Sequence, residues 1–284
     1  MASSIVDSPA TIASLLDTLA ALPTSPPSLY LDLEGTNLSR HGSISIIELL
    51  VLPQNHVYLI DVHVLGEKAF STQSSDGRTL KVVLESPDIP KVFFDVRNDS
   101  DALYSHFNIS LAGVQDIQLL ENAARSFNRR CVNGLAKCIE KDATMTYPQR
   151  SDWKTVKEQG RKLFAPEQGG SYEVFNTRPL AEEIRKYCIQ DVLFLPGLWS
   201  TYSAKVSAAW AEKLQWTGEA YGVGSMALKP SLMVTMAKDE AIELGKDVGL
   251  LAGIKASDLQ QNVRAAPLMI AVIVDTVRLE PPSK

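Results

Sequence analysis

The stretch Leu29-Tyr-Leu-Asp-Leu-Glu-Gly-Thr-Asn-Leu-Ser39 (LYLDLEGTNLS) decides the fold. Its apolar residues alternate, as they do in a β-strand, and it ends in two acids followed by Gly35-Thr36. With a side-chain period of two, Leu29, Leu31 and Leu33 share one face, and Tyr30, Asp32 and Glu34 share the other. Two carboxylates on one face, about 7 Å apart along the strand, repel each other unless a cation lies between them. The simpler reading is a solvated strand end.

Working outward, SISIIELLVL and HVYLIDVHVL follow as two further strands, with Gly42 in the first connection and Pro53-Gln54-Asn55 as a tight turn in the second. Such close spacing favours antiparallel neighbours. LKVVLES then reads as a helix, KVFFDV as a short buried strand, NDSDALYSHF as a helix, and GVQDIQLL as a last strand running into helical ENAARSF. From there to about residue 220 the pattern is helices and loops. Three antiparallel strands followed by alternating helix and strand give an α/β class with a mixed sheet flanked by helices. The N-terminus, MASSIVDSPATIASLLDTLAALP, reads as an amphipathic helix with Asp7-Ser8-Pro9 at its start, not as a signal peptide.

The chain has 284 residues, 45% hydrophobic and 21% charged, with a formal net charge of −5. That balance argues against a charge-driven nucleic-acid coat, but it allows local binding beside an acidic metal site. Cys131, Cys138 and Cys188 do not form a disulfide framework or a zinc knuckle, and read as core thiols of a reducing compartment. The apolar run APLMIAVIV is too short to span a bilayer. The expectation is an intracellular protein, of cytoplasm or nucleus, with no membrane segment.

Two more acidic stretches stand out. In PLAEEIRKYCIQDVLFLPGLW, Pro179 suits a helix start and Glu182 and Glu183 suit the first turn. Asp191 falls on the apolar stripe of Ile184 and Cys188, and a carboxylate on a buried face needs a partner. Tyr187 lies one turn before it on the same side. In KVFFDVRNDSDALYSHF, helical spacing turns Asp99 inward beside Ala102, Leu103 and Phe107, and Asp101 outward; Asp99 is the better buried candidate and Asp101 the reserve. Asn98 or Ser100 would contribute to the cap.

Together, Asp32-x-Glu34, an Asp in NDSDAL and Tyr187-x-x-x-Asp191 resemble the three motifs of the DEDDy group of 3′–5′ exonucleases, which includes ribonuclease D and the Werner-type exonuclease domain. RPLAEEIRKYCIQDV is especially similar to the ribonuclease D pattern. A haloacid-dehalogenase-type phosphatase, with the first Asp as nucleophile, would want Asp in place of Glu34 and a later lysine and acidic pair, which find no clear counterpart. The resemblance covers residues 28 to 205 and implies a ribonuclease H-like fold, with an exonuclease domain expected over 1–215. Beyond it the resemblance fades, and residues 216–284 are expected to form a mainly helical extension of unassigned role, open to capping the exonuclease domain, dimerisation or partner binding. The resemblance also implies two divalent cations, Mg²⁺ or Mn²⁺, held by Asp32, Glu34, Asp99 and Asp191, with Tyr187 completing the catalytic set and orienting the attacking water. The substrate would be the 3′ end of single-stranded RNA or DNA. Relatives often carry a histidine at the position of Phe94. A fold that binds nucleic acid or protein without chemistry is the alternative, although all four acids and Tyr187 are present.

The segment before the third motif supplies candidates for nucleic-acid contact: Lys154, Lys157, Arg161, Lys162, Tyr172 and Arg178, with Arg150, Trp153 and Phe164 beside them. Gly169-Gly170 would let the chain turn or approach a ligand. Arg125, Arg129 and Arg130 form a second basic group, and His41 is the one histidine near the acidic strand.

Overall fold

The structure, a computed structural model, describes residues 2–126 and 131–206. In chain order the elements are β1 (Ala2–Val6), α1 (Pro9–Thr18), β2 (Leu29–Glu34), β3 (Ile46–Val51), β4 (His56–Asp61), α2 (Val62–Leu65), α3 (Lys68–Ser71), α4 (Leu80–Glu85), β5 (Lys91–Phe93), α5 (Arg97–Phe107), β6 (Val114–Asp116), α6 (Ile117–Ala124), α7 (Leu135–Asp142), α8 (Tyr147–Phe164), α9 (Glu182–Leu193) and α10 (Leu195–Ser203). Short 3-10 turns cover Leu52–Gln54, Pro166–Gln168 and Tyr172–Phe175. The extension over 216–284, with its expected boundary and role, lies outside the described residues, as do Arg129 and Arg130.

Among the described residues the strands form one six-stranded sheet in the order β1-β4-β3-β2-β5-β6. β2, β3 and β4 are antiparallel neighbours, as their close spacing requires. The β3–β4 turn closes on Asn55, which adopts the left-handed conformation that Asn tolerates. β5 joins β2 in parallel and β6 joins β5 in parallel, so helices make the crossovers. The sheet is therefore mixed and flanked by helices, as expected.

Several boundaries differ from the sequence reading. Residues 2–6 are not helical: they add a parallel edge strand to β4, with only Val6 buried, and the helix begins at Pro9 under a Ser8–Thr11 capping box. An edge strand with one buried side chain has too weak an alternation to announce itself. HVYLIDVHVL is a strand only to Asp61, whose carboxylate accepts the Val64 N–H at 3.0 Å and starts a helix. GVQDIQLL turns helical at Ile117, because Asp116 caps α6 through the Gln118 N–H. Neither Asn98 nor Ser100 caps α5, whose cap position is Val96. Pro179 lies three residues ahead of α9, which begins at Glu182. Cys138 and Cys188 are core thiols; Cys131 is at the surface.

The core that positions the site lies between the sheet and α9. Tyr30 of β2, Ile46 and Leu50 of β3, and Val57 and Leu59 of β4 pack with Ile184, Cys188 and Val192 of α9. The chain entering α9 is fastened to the same sheet. Arg178 donates from Nε and Nη2 to the buried Asp61 carboxylate, and from Nη1 to the carbonyls of Phe175 and Thr177. Asn176 accepts from Ser45 at 2.6 Å and donates to Thr36 at 3.2 Å.

Removing the guanidinium would leave Asp61 buried without its counter-charge. Arg178→Ala is expected to lower unfolding stability by about 3 kcal/mol, whereas Lys162→Ala, at a solvated position, changes it by less than about 0.5 kcal/mol. Urea unfolding of the two variants beside the parent checks this; equal midpoints would contradict the pin.

Candidate active site

Asp32 and Glu34 end β2 on the face that α9 covers, and Asp191 meets them from the last turns of α9. One carboxylate oxygen from each of the three lies within 4.8 Å of the others. Asp32 and Glu34 are half-buried and Asp191 is buried at 4% exposure, so the cluster is only partly open to solvent. Tyr187 is almost covered, one helical turn before Asp191.

Helix α8 closes over Tyr187. This approach needs Gly160: a Cβ there would sit 2.6 Å from Cδ2 of the tyrosine ring. Phe164 meets the same ring edge-on at 5.0 Å between centroids. Lys157, one turn before Gly160, brings Nζ to 3.3 Å from Asp191 Oδ1 and 5.2 Å from the Tyr187 ring centroid. The ring is thus held on three sides, which fixes the phenol beside the acids.

Asp99 lies in the first turn of α5, buried at 4% exposure. It stands outside the tight trio, but Asp32 acts on it electrostatically and it acts on Glu34. Asp101 has another partner. It binds the Arg40 side chain in a fork and accepts the Arg40 N–H at 3.0 Å, which ties α5 to the loop after β2. The inward and outward faces read from helical spacing match these positions. Phe94 follows β5 directly, half-buried against the core. His41 is exposed.

The electrostatics follow from burying like charges together. Burial first, and the Asp191 charge second, push Asp32 up to about 8, although Lys157 pulls the other way. Burial raises Glu34 well above the ordinary carboxylate range, with Asp32, Asp191 and Asp99 adding to the shift. Asp99 rises for the same reasons, with Asp32, Asp95 and Asp116 as its neighbours. Burial and the charges of Asp191 and Glu34 hold the Tyr187 phenol well above its ordinary value, so it stays protonated. The donor set is all oxygen, close-set and short of positive charge, which suits hard divalent cations such as Mg²⁺ or Mn²⁺.

The candidate nucleic-acid residues separate by position. Lys154, Arg161 and Lys162 are exposed on α8, in surface pairs with Glu140, Glu167 and Glu158. Tyr172 is half-buried and stacks on Phe164 at 6.1 Å. Lys157 reaches the acidic cluster at Asp191, and Arg178 is partly exposed with its guanidinium paired to Asp61. Trp153 is buried, so it packs inward and does not face a base. Arg150 donates to the Glu140 carbonyl, and Arg125 pairs with the buried Glu121. Gly169 turns the chain at φ 85°, and Gly170 lets it pass the Leu163 carbonyl, which a Cβ would meet at 2.5 Å.

Two residues escape the sequence reading. Gly160 looks like an ordinary helical glycine until its partner ring is seen. Glu48 is the lone acid in SISIIELLVL; it is fully buried and paired in register with Asp32. An isolated acid inside an apolar strand is the signal that would have found it.

The raised carboxylate of Asp32 has a stability consequence. The folded protein holds this proton more tightly than the unfolded chain, whose Asp titrates near 4 (about 3.9). The contribution is therefore fully present below about pH 4 and lost as pH rises through about 8. In EDTA, the melting temperature is expected to fall from pH 6 to pH 8.5, with a smaller fall in Asp32→Asn. Added Mg²⁺ should restore most at the higher pH, because ligands bind deprotonated. Thermal scans at both pH values check this; no pH dependence in EDTA would contradict it.

Comparison with known proteins agrees with this geometry. A family model described as 3′–5′ exonuclease matches residues 4–205. The mouse (Mus musculus) piRNA biogenesis protein EXD1 is 30% identical over 167 residues, which cover 57% of this chain and 26% of that protein. The chain thus spans about a quarter of the length of this curated relative. RNase D of Trypanosoma brucei, solved in complex with RNA U12, superposes with a TM-score of 0.58 at 22% identity, covering 78% of this chain and 71% of that one. Escherichia coli RNase D superposes at 0.56 and 18% identity, covering 81% and 52%. At these identities the structural likeness is one of fold, the ribonuclease H-like exonuclease fold. With a family model over most of its length and carboxylates gathered from its first and third motifs, the chain belongs to the DEDD family of 3′–5′ exonucleases.

Proposed function

We propose that the protein hydrolyses phosphodiester bonds of single-stranded nucleic acid from the 3′ end, releasing nucleoside 5′-monophosphates with the help of two divalent cations, Mg²⁺ or Mn²⁺. The observation that carries the reading is the convergence of Asp32, Glu34 and Asp191, with oxygens within 4.8 Å, beside a protonated Tyr187. Asp32, Glu34 and Asp191 would hold the ions, with Asp99 contributing from the head of α5. When bound, the ions supply Lewis-acid stabilisation of the attacking and leaving oxygens of an in-line displacement.

The rest is the work of the protein's own groups. Tyr187 is too firmly protonated to act as a base, so its phenol orients the attacking water while the carboxylates bear the charge. Lys157, held between Asp191 and the Tyr187 ring, brings a positive charge to the place where a phosphate oxygen gains negative charge. Exposed Lys154, Arg161 and Lys162 offer phosphate contacts along α8, and Tyr172 offers a face for a terminal base. RNA is the first substrate to try, since the similar Trypanosoma brucei RNase D was solved with RNA.

End-labelled single-stranded RNA and DNA, incubated with Mg²⁺, Mn²⁺ or EDTA, test the proposal. The expected result is a metal-dependent ladder from the 3′ end that Asp32→Ala and Asp191→Ala abolish. Tyr187→Phe should lower kcat about a hundredfold while leaving Mn²⁺ binding intact. No cleavage with either metal would leave the fold as a binding scaffold and contradict the hydrolytic reading.

A further inference from the structure

Glu48 sits in the middle of β3, directly across from Asp32 of β2 in the antiparallel register. Cross-strand partners project to the same face, so its side chain enters the layer that α9 covers, behind the Asp32 carboxylate. It is 0% exposed, and neither carboxylate oxygen has a hydrogen-bond partner. The nearest donors are the Cys188 thiol of α9, a weak donor, and the Glu48 backbone N–H, and neither reaches ordinary hydrogen-bond geometry. Its strongest electrostatic neighbours are Asp32 and Glu34. Other buried acids have stronger partners: Asp61 has Arg178, Glu121 has Arg125, and Asp116 has three N–H groups.

A buried carboxylate without donors is expensive to keep unless something compensates it. On its own strand and on α9 only its own backbone N–H and the Cys188 thiol favour the charge, and neither outweighs burial beside Asp32 and Glu34. What lies in front of it is the Asp32–Glu34–Asp191 oxygen cluster, where a divalent ion would supply the missing positive charge.

We propose that Glu48 is a fifth carboxylate of the divalent-metal centre, a positioning residue that acts on the bound ions from behind Asp32. Its oxygens are not part of the trio within 4.8 Å, so it works through the field at the ions and through the placement of the Asp32 carboxylate. The inference rests on the metal-dependent reading of the site and adds to it a residue outside the three motifs.

Mn²⁺ titration of purified protein, read by the electron paramagnetic resonance signal of free Mn²⁺, tests it with no substrate present. Glu48→Gln keeps the shape and removes the charge. It is expected to weaken Mn²⁺ binding about tenfold, with a melting temperature in EDTA no lower than that of the parent. Glu48→Asp, which keeps the charge, should recover part of the affinity. Parental affinity in Glu48→Gln, with binding lost in Asp32→Asn, would overturn this inference alone. A lowered EDTA melting temperature with equal loss of binding in both Glu48 variants would assign Glu48 a purely structural role and also overturn it. Absence of Mn²⁺ binding by the parent would overturn the metal reading itself.

Discussion

The repulsion among buried carboxylates is the constraint that the rest of this structure answers. Asp32, Glu34 and Asp191 bring oxygens within 4.8 Å of one another, with Asp99 and Glu48 close behind. Both ionised, two such groups would repel by roughly 3 kcal/mol at an effective dielectric near 20, which with burial is why Asp32 and Glu34 hold their protons more tightly than free acids. A chain seeking only stability would disperse such groups or replace them with apolar ones. Here two are placed on a central strand and one on the helix packed against it. Loops could relax the strain by moving; β2 and α9 cannot, because Tyr30, Ile184, Cys188 and Val192 lock them together.

The surrounding contacts serve the same end. Gly160 allows α8 to come down on Tyr187, and Phe164 and Lys157 complete its enclosure. Arg178 anchors the run into α9 to Asp61 at the end of β4, and Asn176 ties that run to Ser45 and Thr36 beside the acidic strand. Arg40 joins the loop after β2 to Asp101, which sets the head of α5 and with it Asp99. Positions spread across the chain are thereby brought to one acidic cluster and tied there by side-chain contacts. On the proposed reading, cations held by these acids would depend on that placement.

Much of this was legible in the sequence because the strong signals are periodic. The alternation in LYLDLE put Asp32 and Glu34 on one face, and helical spacing put Tyr187 beside Asp191 and turned Asp99 inward. What stayed hidden depended on partners far along the chain. Lys157 and Arg178 look alike as basic residues near the third motif. One reaches Asp191 and the other Asp61, 34 and 117 residues away, and no local pattern reports that. β1 escaped because one buried residue in five leaves no alternation to see. Glu48 escaped because its meaning comes from register with Asp32, which is a property of the sheet and not of its own strand.

The central claim is that these acids exist to hold divalent cations. Anomalous diffraction from crystals grown with Mn²⁺ tests it most directly. The account predicts Mn²⁺ peaks within ligand distance of the Asp32, Glu34 and Asp191 carboxylates. Clear density for the protein with no anomalous peak at these carboxylates, at Mn²⁺ concentrations that saturate other such centres, would contradict it.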